Sequence, residues 1–488
     1  MVKKEKITFD KNKKENFSEW YSEIIKKAEL GDMRYNIKGF IVFQPWSVLV
    51  MEKMYQLMEE ELQLKGHKPY WYPVVIPEKN FLMEKNHVKG FAPEVFWVTE
   101  TGAGEKLEEK LALRPTSETA FYQMFSIWIR SYKDLPFKTY QRAQVFRHET
   151  KATKPFIRSR EFHWIETHNA FDSKENALKQ AKEDMDTTKK VLLEKFCVPF
   201  IFFKRPEWDK FPGAESTFAS DTLMPDGKVL QLPSTHIISQ EFTKAFNVKY
   251  LDKNGKENYC WTTCYGPAIS RIFAAVISIH GDNKGLIFPF NIAPLQAIII
   301  PIFNEKNREK VLKEAEKIEK ELRAKKIRTE TDLQEKTMGE KFYFWEMKGV
   351  PFRIELGEKE INEKKATVFR RDTGKKTKES IGKLAEFILK EGEKQSNALK
   401  EKAEKEFMQG ISEADSIEKA RKELEKGKIV KTGFCSVSMD SAECAEKIEK
   451  ELNASVRGTK FSEKEKAKGK CIACGKKAQE IVYIAKSY

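Results

Sequence analysis

No apolar run in this sequence approaches the roughly 20 residues that a helix needs to cross a bilayer. The run AIIIPIF around Ile300 has only the length of a buried strand. The opening residues, MVKKEKITFDKNKKENFSEW, lack the apolar centre of a secretory signal. Internal repeats are absent, which argues against solenoids and propellers. Cysteine is scarce, seven residues in all, and four of them lie beyond residue 430. Together these absences set aside a membrane protein and a secreted disulfide scaffold. They lead to the expectation of a cytoplasmic chain in which clustered thiols serve a metal rather than bridges.

What is present begins with size and charge. A chain of 488 residues exceeds one core, so two to four domains are expected, and 40% hydrophobic residues suffice to fold them. The formal net charge of +15 favours a polyanionic partner, nucleic acid before an anionic membrane. The competing reading is a Lys/Glu-rich surface of the kind found in heat-adapted proteins, with no such partner.

From Phe17 to about Gly285, aromatic strands alternate with amphipathic helices. VLVMEKMYQLMEEELQLKG predicts a long helix with Val50, Met54, Leu57, Met58 and Leu62 on one stripe, ending at Gly66. YWYPVVIP then predicts an edge strand, since Pro73 and Pro77 suit an interface edge better than a sheet centre. From FPFNIAPLQAIIIPIF onward, strand, helix, strand, helix, strand predicts a compact α/β domain with parallel strands, to about residue 395. Charged helices follow, then the cysteine-bearing tail. The expected division is 1–290, 291–395 and 396–488.

The hairpin FRHETKATKPFIRSREFHWIETHNAF carries unusual chemistry for a sheet. Arg147 and Glu149 share one face, and so do Arg160, Phe162, Trp164, Glu166 and His168. Such a face packs poorly but suits a ligand; the alternative is an exposed hairpin with charged cross-strand pairs. LRPTSET places Arg, hydroxyls and Glu118 at a helix start, where free N–H groups favour polar ligands. QLPSTHIISQEF offers further polar groups. CYGPAISRIFAAVISIHGD embeds Arg271 in an apolar helix, where a guanidinium needs an anionic partner, a ligand or a protein carboxylate.

Together these stretches resemble the three signature motifs of class II aminoacyl-tRNA synthetases: YWYPVVIP the first, FRHE…REFHW the second, CYGPAISRIFAA the third. RPTSET, GFAPEVFWVT, HGDNKGL, KGVPFRIELG and RRDTGKK resemble, more narrowly, the prolyl-tRNA synthetases of archaeal and eukaryotic-like type, over nearly the whole chain. GPAIS before Arg271 and LPST after Gln231 depart from common forms. The resemblance implies an α+β catalytic domain with a mainly antiparallel sheet (the class II synthetase fold), an α/β anticodon-binding domain and a small zinc-binding α/β C-terminal domain. It implies a homodimer that joins L-proline to ATP, with Mg²⁺, and passes the prolyl group to tRNA(Pro). Arg147 would grip the α-phosphate and the substrate carboxylate, and Glu149 would accept from the adenine amino group. Phe162 and Arg271 would sandwich the base, with Gln231 and Ser234 completing the nucleotide site. Thr116 and Glu118 would take the proline ammonium, with Phe91, Trp164, Phe211 and His236 as the ring's wall and Glu94 nearby.

The resemblance also assigns partners. Lys151, Lys154 and Arg158 would meet the tRNA acceptor end through phosphates; Glu340, Arg353 and Arg371 would read anticodon bases. No editing insertion separates the second and third motifs, so alanine and cysteine would be activated weakly and not cleared. The terminal Tyr488 would direct its carboxylate toward the catalytic site. A related class IIa enzyme for threonine or glycine, and a silent tRNA-binding relative, remain as rivals.

In the tail, Cys471-Ile-Ala-Cys474 is a metal knuckle, and Cys435 and Cys444 form a looser upstream pair. Four thiolates suit a closed, structural tetrahedral Zn²⁺ site; ordinary buried thiols and a redox pair are the alternatives. Cys260 and Cys264 read as core or site-lining residues.

Overall fold

The computed structural model describes residues 12–87, 95–148, 152–462 and 465–488. Phe91, Glu94, Glu149 and Lys151 lie outside the described residues.

An apolar stripe builds the first long helix. α1 (Pro45–Leu64) starts with proline, whose missing N–H costs nothing in a first turn, and buries Val50, Met51, Met54, Tyr55, Met58 and Leu62. Leu57 lies at the half-buried margin of that stripe. YWYPVVIP is not one strand, contrary to expectation. A two-residue edge strand, β1 (Lys68–Pro69), ends before it, and Val75–Pro77 joins a separate three-stranded sheet. Pro73 between them has no N–H to give a ladder.

Among the described residues, eleven strands form the principal sheet. After β1 come β2 (Phe137–Phe146), β3 (Glu161–Phe171), β4 (Ile201–Lys204), β5 (Ser216–Leu223), β6 (Lys228–Ser239) and β7 (Trp261–Gly266). β2 and β3 form the hairpin, in register from Phe137 opposite Ala170 to Phe146 opposite Glu161. β7, β6, β5 and β4 extend it, each antiparallel to its neighbour. Three helices supply or support the site: α2 (Glu118–Trp128), α3 (Lys174–Thr188) and α4 (Ile269–His280). α4 is apolar on nearly every side and is buried accordingly.

The next unit runs β8 (Ala297–Ile302), α5 (Arg308–Ala324), β9 (Thr329–Thr331), α6 (Met338–Lys348) and β10 (Phe352–Gly357). β9 and β10 lie parallel on either side of β8, as expected. Two further strands, β11 (Lys365–Arg370) and β12 (Lys376–Ser380), add antiparallel and make the sheet mixed. α7 (Leu384–Gln409) follows as one continuous helix, so the boundary drawn at 395/396 falls inside it.

The tail strands β13 (Ile411–Glu413), β14 (Ile429–Phe434), β15 (Ser455–Lys460) and β16 (Glu480–Ser487) belong to the principal sheet itself. The strand order is β13-β14-β16-β15-β4-β5-β6-β7-β3-β2-β1. β15 pairs antiparallel with β4, and β16 also runs parallel to the start of β6. The tail is thereby welded to the sheet that carries the hairpin.

Candidate active site

One face of the β3–β7–β6–β5 surface opens into a cavity of about 340 Å³. Alternation along β3 points Phe162, Trp164, Glu166 and His168 into it, while Arg147 enters from just beyond β2. β6 contributes Gln231, Ser234 and His236, the loop before β5 contributes Phe211, and the start of α4 contributes Arg271. Thr116 and Glu118 close the wall at the start of α2.

Arg147 holds its place by donating from Nε to the Pro115 carbonyl at 3.1 Å. Its guanidinium lies 5.2 Å from the Phe162 ring centre and 5.9 Å from that of Trp164, within cation–π range. Arg271 donates from Nε to the Ile157 carbonyl and from Nη1 to the Gln231 carbonyl, both at 3.3 Å. Arg147, Phe162 and Arg271 also line one small adjoining hollow. The two guanidiniums thus meet one space rather than separate ones.

The carboxylates at the deep end differ from one another. Burial pushes the Glu118 carboxyl above its usual range, although the Thr116 hydroxyl donates to it at 2.5 Å. Burial opposes ionisation of Glu166 as well. There His168, Ser117 and Gln141 outweigh it and hold the carboxyl below its usual value. Gln141 donates to Glu166 at 2.6 Å, and His168 Nε2 lies 3.4 Å away. The two neighbouring acids are thus shifted in opposite directions, Glu118 toward the neutral form and Glu166 toward the carboxylate.

The side wall is rigid and neutral. His236 Nδ1 lies 2.9 Å from the Thr217 hydroxyl and Nε2 lies 2.9 Å from that of Ser234. The Phe211 ring sits 4.9 Å from the imidazole. Burial, with Arg205 and His168 adding, lowers the His236 pKa to about 3, so the ring stays uncharged.

Other expected residues are used differently. Lys154 spreads its ammonium over Phe17, Tyr21 and Tyr488 at 5.0, 5.2 and 5.6 Å. Arg158 donates from Nη2 to the backbone oxygen of Tyr488 at 2.8 Å. Both side chains reach Tyr488 from the hairpin loop. Glu340 caps α6 by accepting from the Thr337 N–H at 2.9 Å. Arg353 is buried between the Phe342 and Phe369 rings and paired to Glu346 and Glu355. Arg371 forks onto Asp282, tying the β8–β12 unit to the end of α4. Arg353 and Arg371 are thus both buried and engaged by acceptors of the folded chain.

Glu166 and His168, on the face expected to suit a ligand, line the cavity, as does Cys264, read as core or site-lining; Thr217 and Arg205 line it without having been singled out. Strand alternation with Phe162 and Trp164 was signal enough for the first two. Nothing local marks Arg205.

In the tail, the Sγ atoms of Cys435, Cys444, Cys471 and Cys474 all lie within 4.8 Å of one another. Cys435 and Cys444 are 3.6 Å apart at sulfur, close to the ~3.8 Å that tetrahedral Zn–S bonds of about 2.3 Å impose. The donor set fits one thiophilic ion.

This geometry has counterparts. Residues 96–280 match the class II core domain of tRNA synthetases (G, H, P, S and T), and residues 296–391 match an anticodon-binding domain. Residues 417–488 match the prolyl-tRNA synthetase C-terminal domain. A proline–tRNA ligase of Thermofilum pendens is 50% identical over 98% of both chains. This chain belongs to the prolyl-tRNA synthetases. Another member, the proline–tRNA ligase of Methanopyrus kandleri, is 41% identical over 97% of this chain and 96% of its own. The structure of Giardia lamblia prolyl-tRNA synthetase in complex with prolyl-adenylate superposes with a TM-score of 0.94 at 37% identity. It covers 99% of this chain and 100% of that one. The prolyl-tRNA synthetase fold accordingly accounts for the principal sheet, its tail strands included.

Proposed function

We propose that the cavity joins L-proline to ATP as prolyl-adenylate, releasing pyrophosphate, and passes the prolyl group to the 3′ end of tRNA(Pro). The observation that carries this reading is the convergence of Arg147 and Arg271 with Phe162 on one space beside buried Glu118. Attack of a carboxylate on an α-phosphate needs the two anions held in line and their charge spread, which fixed guanidiniums do. Arg147 grips the α-phosphate and the proline carboxylate. Phe162 stacks on adenine, with Arg271 on its far side, and Gln231 and Ser234 border the nucleotide. Glu149 and Glu94 keep the roles that the family suggests, as does Phe91 in the proline wall. ATP enters as its Mg²⁺ complex.

Glu118 and Thr116 receive the secondary ammonium; a cation there restores the ionised carboxylate that burial resists. Trp164, Phe211 and His236 fit the ring. A smaller amino acid loses only contact area, so alanine is activated roughly 10–200-fold less well than proline. Residues 172–260 fold into the principal sheet and its flanking pieces, and we assign them no editing role.

The catalytic, anticodon-binding and C-terminal units are taken as 1–290, 291–395 and 396–488. tRNA reaches the hairpin loop, where Lys151 accompanies Lys154 and Arg158. The four tail cysteines hold structural Zn²⁺, which fastens β14 to the following loops. Exposed Trp71 and Val48, which line one hollow, with Val74, Val75 and Leu49 also exposed, suit contact with a second copy, giving a homodimer. A reduced thiol cluster and soluble substrates fit the cytoplasm.

The test is proline-dependent exchange of pyrophosphate into ATP. Proline, and not threonine or glycine, should drive it; exchange driven by another amino acid overturns the assignment.

A further inference from the structure

The cavity is braced from the far end of the chain. Asp221 in β5 is wholly buried and shared by two guanidiniums. Arg205 donates to it twice, at 3.1 and 2.8 Å, and Arg457 in β15 donates from Nε at 2.7 Å. Arg205 also donates from Nη2 to the Gln231 side-chain oxygen at 3.1 Å, and from Nη1 to the Arg457 carbonyl at 2.8 Å. Arg205 and Gln231 face the cavity, whereas Arg457 stays behind it. The contact exists because Gly458 has φ +118°, and a Cβ there would run into the Lys204 carbonyl. Only glycine lets β15 lie so close to β4.

Two cations around one anion are a poor investment in stability, since desolvation offsets their attraction. Their geometric use is clearer. The planar Arg205 fork is oriented by Asp221, and Asp221 is in turn held by Arg457. The fork then fixes the Gln231 amide, whose backbone carbonyl accepts from Arg271.

We infer that Arg457 is a positioning residue for the nucleotide side of the pocket, acting through Asp221 and Arg205 on Gln231. The tail unit thereby sets ATP affinity although it does not touch the nucleotide. This rests on the assignment of Gln231 to the nucleotide. The proline wall is held by other side-chain contacts, Thr217 and Ser234 on His236 and Thr217 on Phe211, and should be spared.

The test is exchange kinetics on the full-length protein, with melting temperatures, for Arg457→Met, Arg457→Lys, Gln231→Met and the Arg457→Met/Gln231→Met double variant. Arg457→Met leaves Asp221 paired with Arg205. It should raise the KM for ATP about tenfold, the scale of one charge-assisted hydrogen bond. The KM for proline should stay within twofold. Arg457→Lys should fall between wild type and the Met variant, and decides the matter alone should the Met variant not fold. In the Gln231→Met background the Arg457 change should add nothing. A lowered melting temperature with an unchanged KM for ATP, an equal rise in both KM values, or additivity with Gln231→Met each overturn the inference. Wild-type protein without proline-dependent exchange would instead sink the functional assignment on which it rests.

Discussion

Individual side chains here are tuned by burial more than by neighbours. His280 ends α4, where a helix C-terminus favours a cation by about 0.3–1 kcal/mol. Burial, with Lys13 and Lys402 adding to it, nonetheless lowers its pKa to about 3. Below pH 6.5 the unfolded chain takes up a proton at this ring that the folded protein refuses until about pH 3. The native state therefore loses stability as pH falls through that window, by about 1.4 kcal/mol per pH unit at most. His280→Gln removes this contribution. Urea unfolding at pH 7, 6 and 5 should show the gap between wild type and variant shifting in the variant's favour at lower pH. Parallel curves would discard the explanation. Residue roles were legible in the sequence where a strand's alternation carried them, as for Phe162 and Trp164. They were illegible for Arg205, Asp221 and Arg457, whose partners are distant in sequence.

At the scale of elements, close approach decides what periodicity cannot. Helices α1 and α5 follow their apolar stripes and are readable from sequence. The union of β15 with β4 is not, because it depends on a glycine whose neighbour is a carbonyl in another unit. Gly458→Ala combines a disallowed φ with a backbone collision, together on the order of 2–5 kcal/mol. A lowered melting temperature should accompany a raised KM for ATP, as the joint carries Arg457. The hydrophobic octapeptide YWYPVVIP misleads in the opposite way. Its composition reads as a strand, yet Pro73 divides it and leaves Trp71 92% exposed.

For the whole molecule, the exposed apolar surface around Trp71 and the four-sulfur cluster set the expected behaviour. Sedimentation should show a dimer, and Trp71→Glu should shift it toward monomer by placing a charge where an apolar contact is required. Metal analysis should find about one zinc per chain. Its removal by chelator should lower the melting temperature, since the thiolates otherwise repel one another. A dimer that ignores Trp71→Glu, or a chain free of zinc yet equally stable, contradicts these two expectations. Because β14, β15 and β16 belong to the catalytic sheet, loss of the metal should also be felt as weaker ATP binding.

By itself the sequence determined the class of fold, the family and many of the residues that line the cavity, since these are written in local periodicities and short motifs. It also marked the four cysteines, but left open whether the upstream pair joins the knuckle. Tertiary structure alone decided that all four sulfurs meet, that Arg371 fastens one unit to another through Asp282, and that the tail completes the central sheet. Such outcomes depend on side chains that meet only after the chain has closed on itself, so no window along the sequence contains both partners.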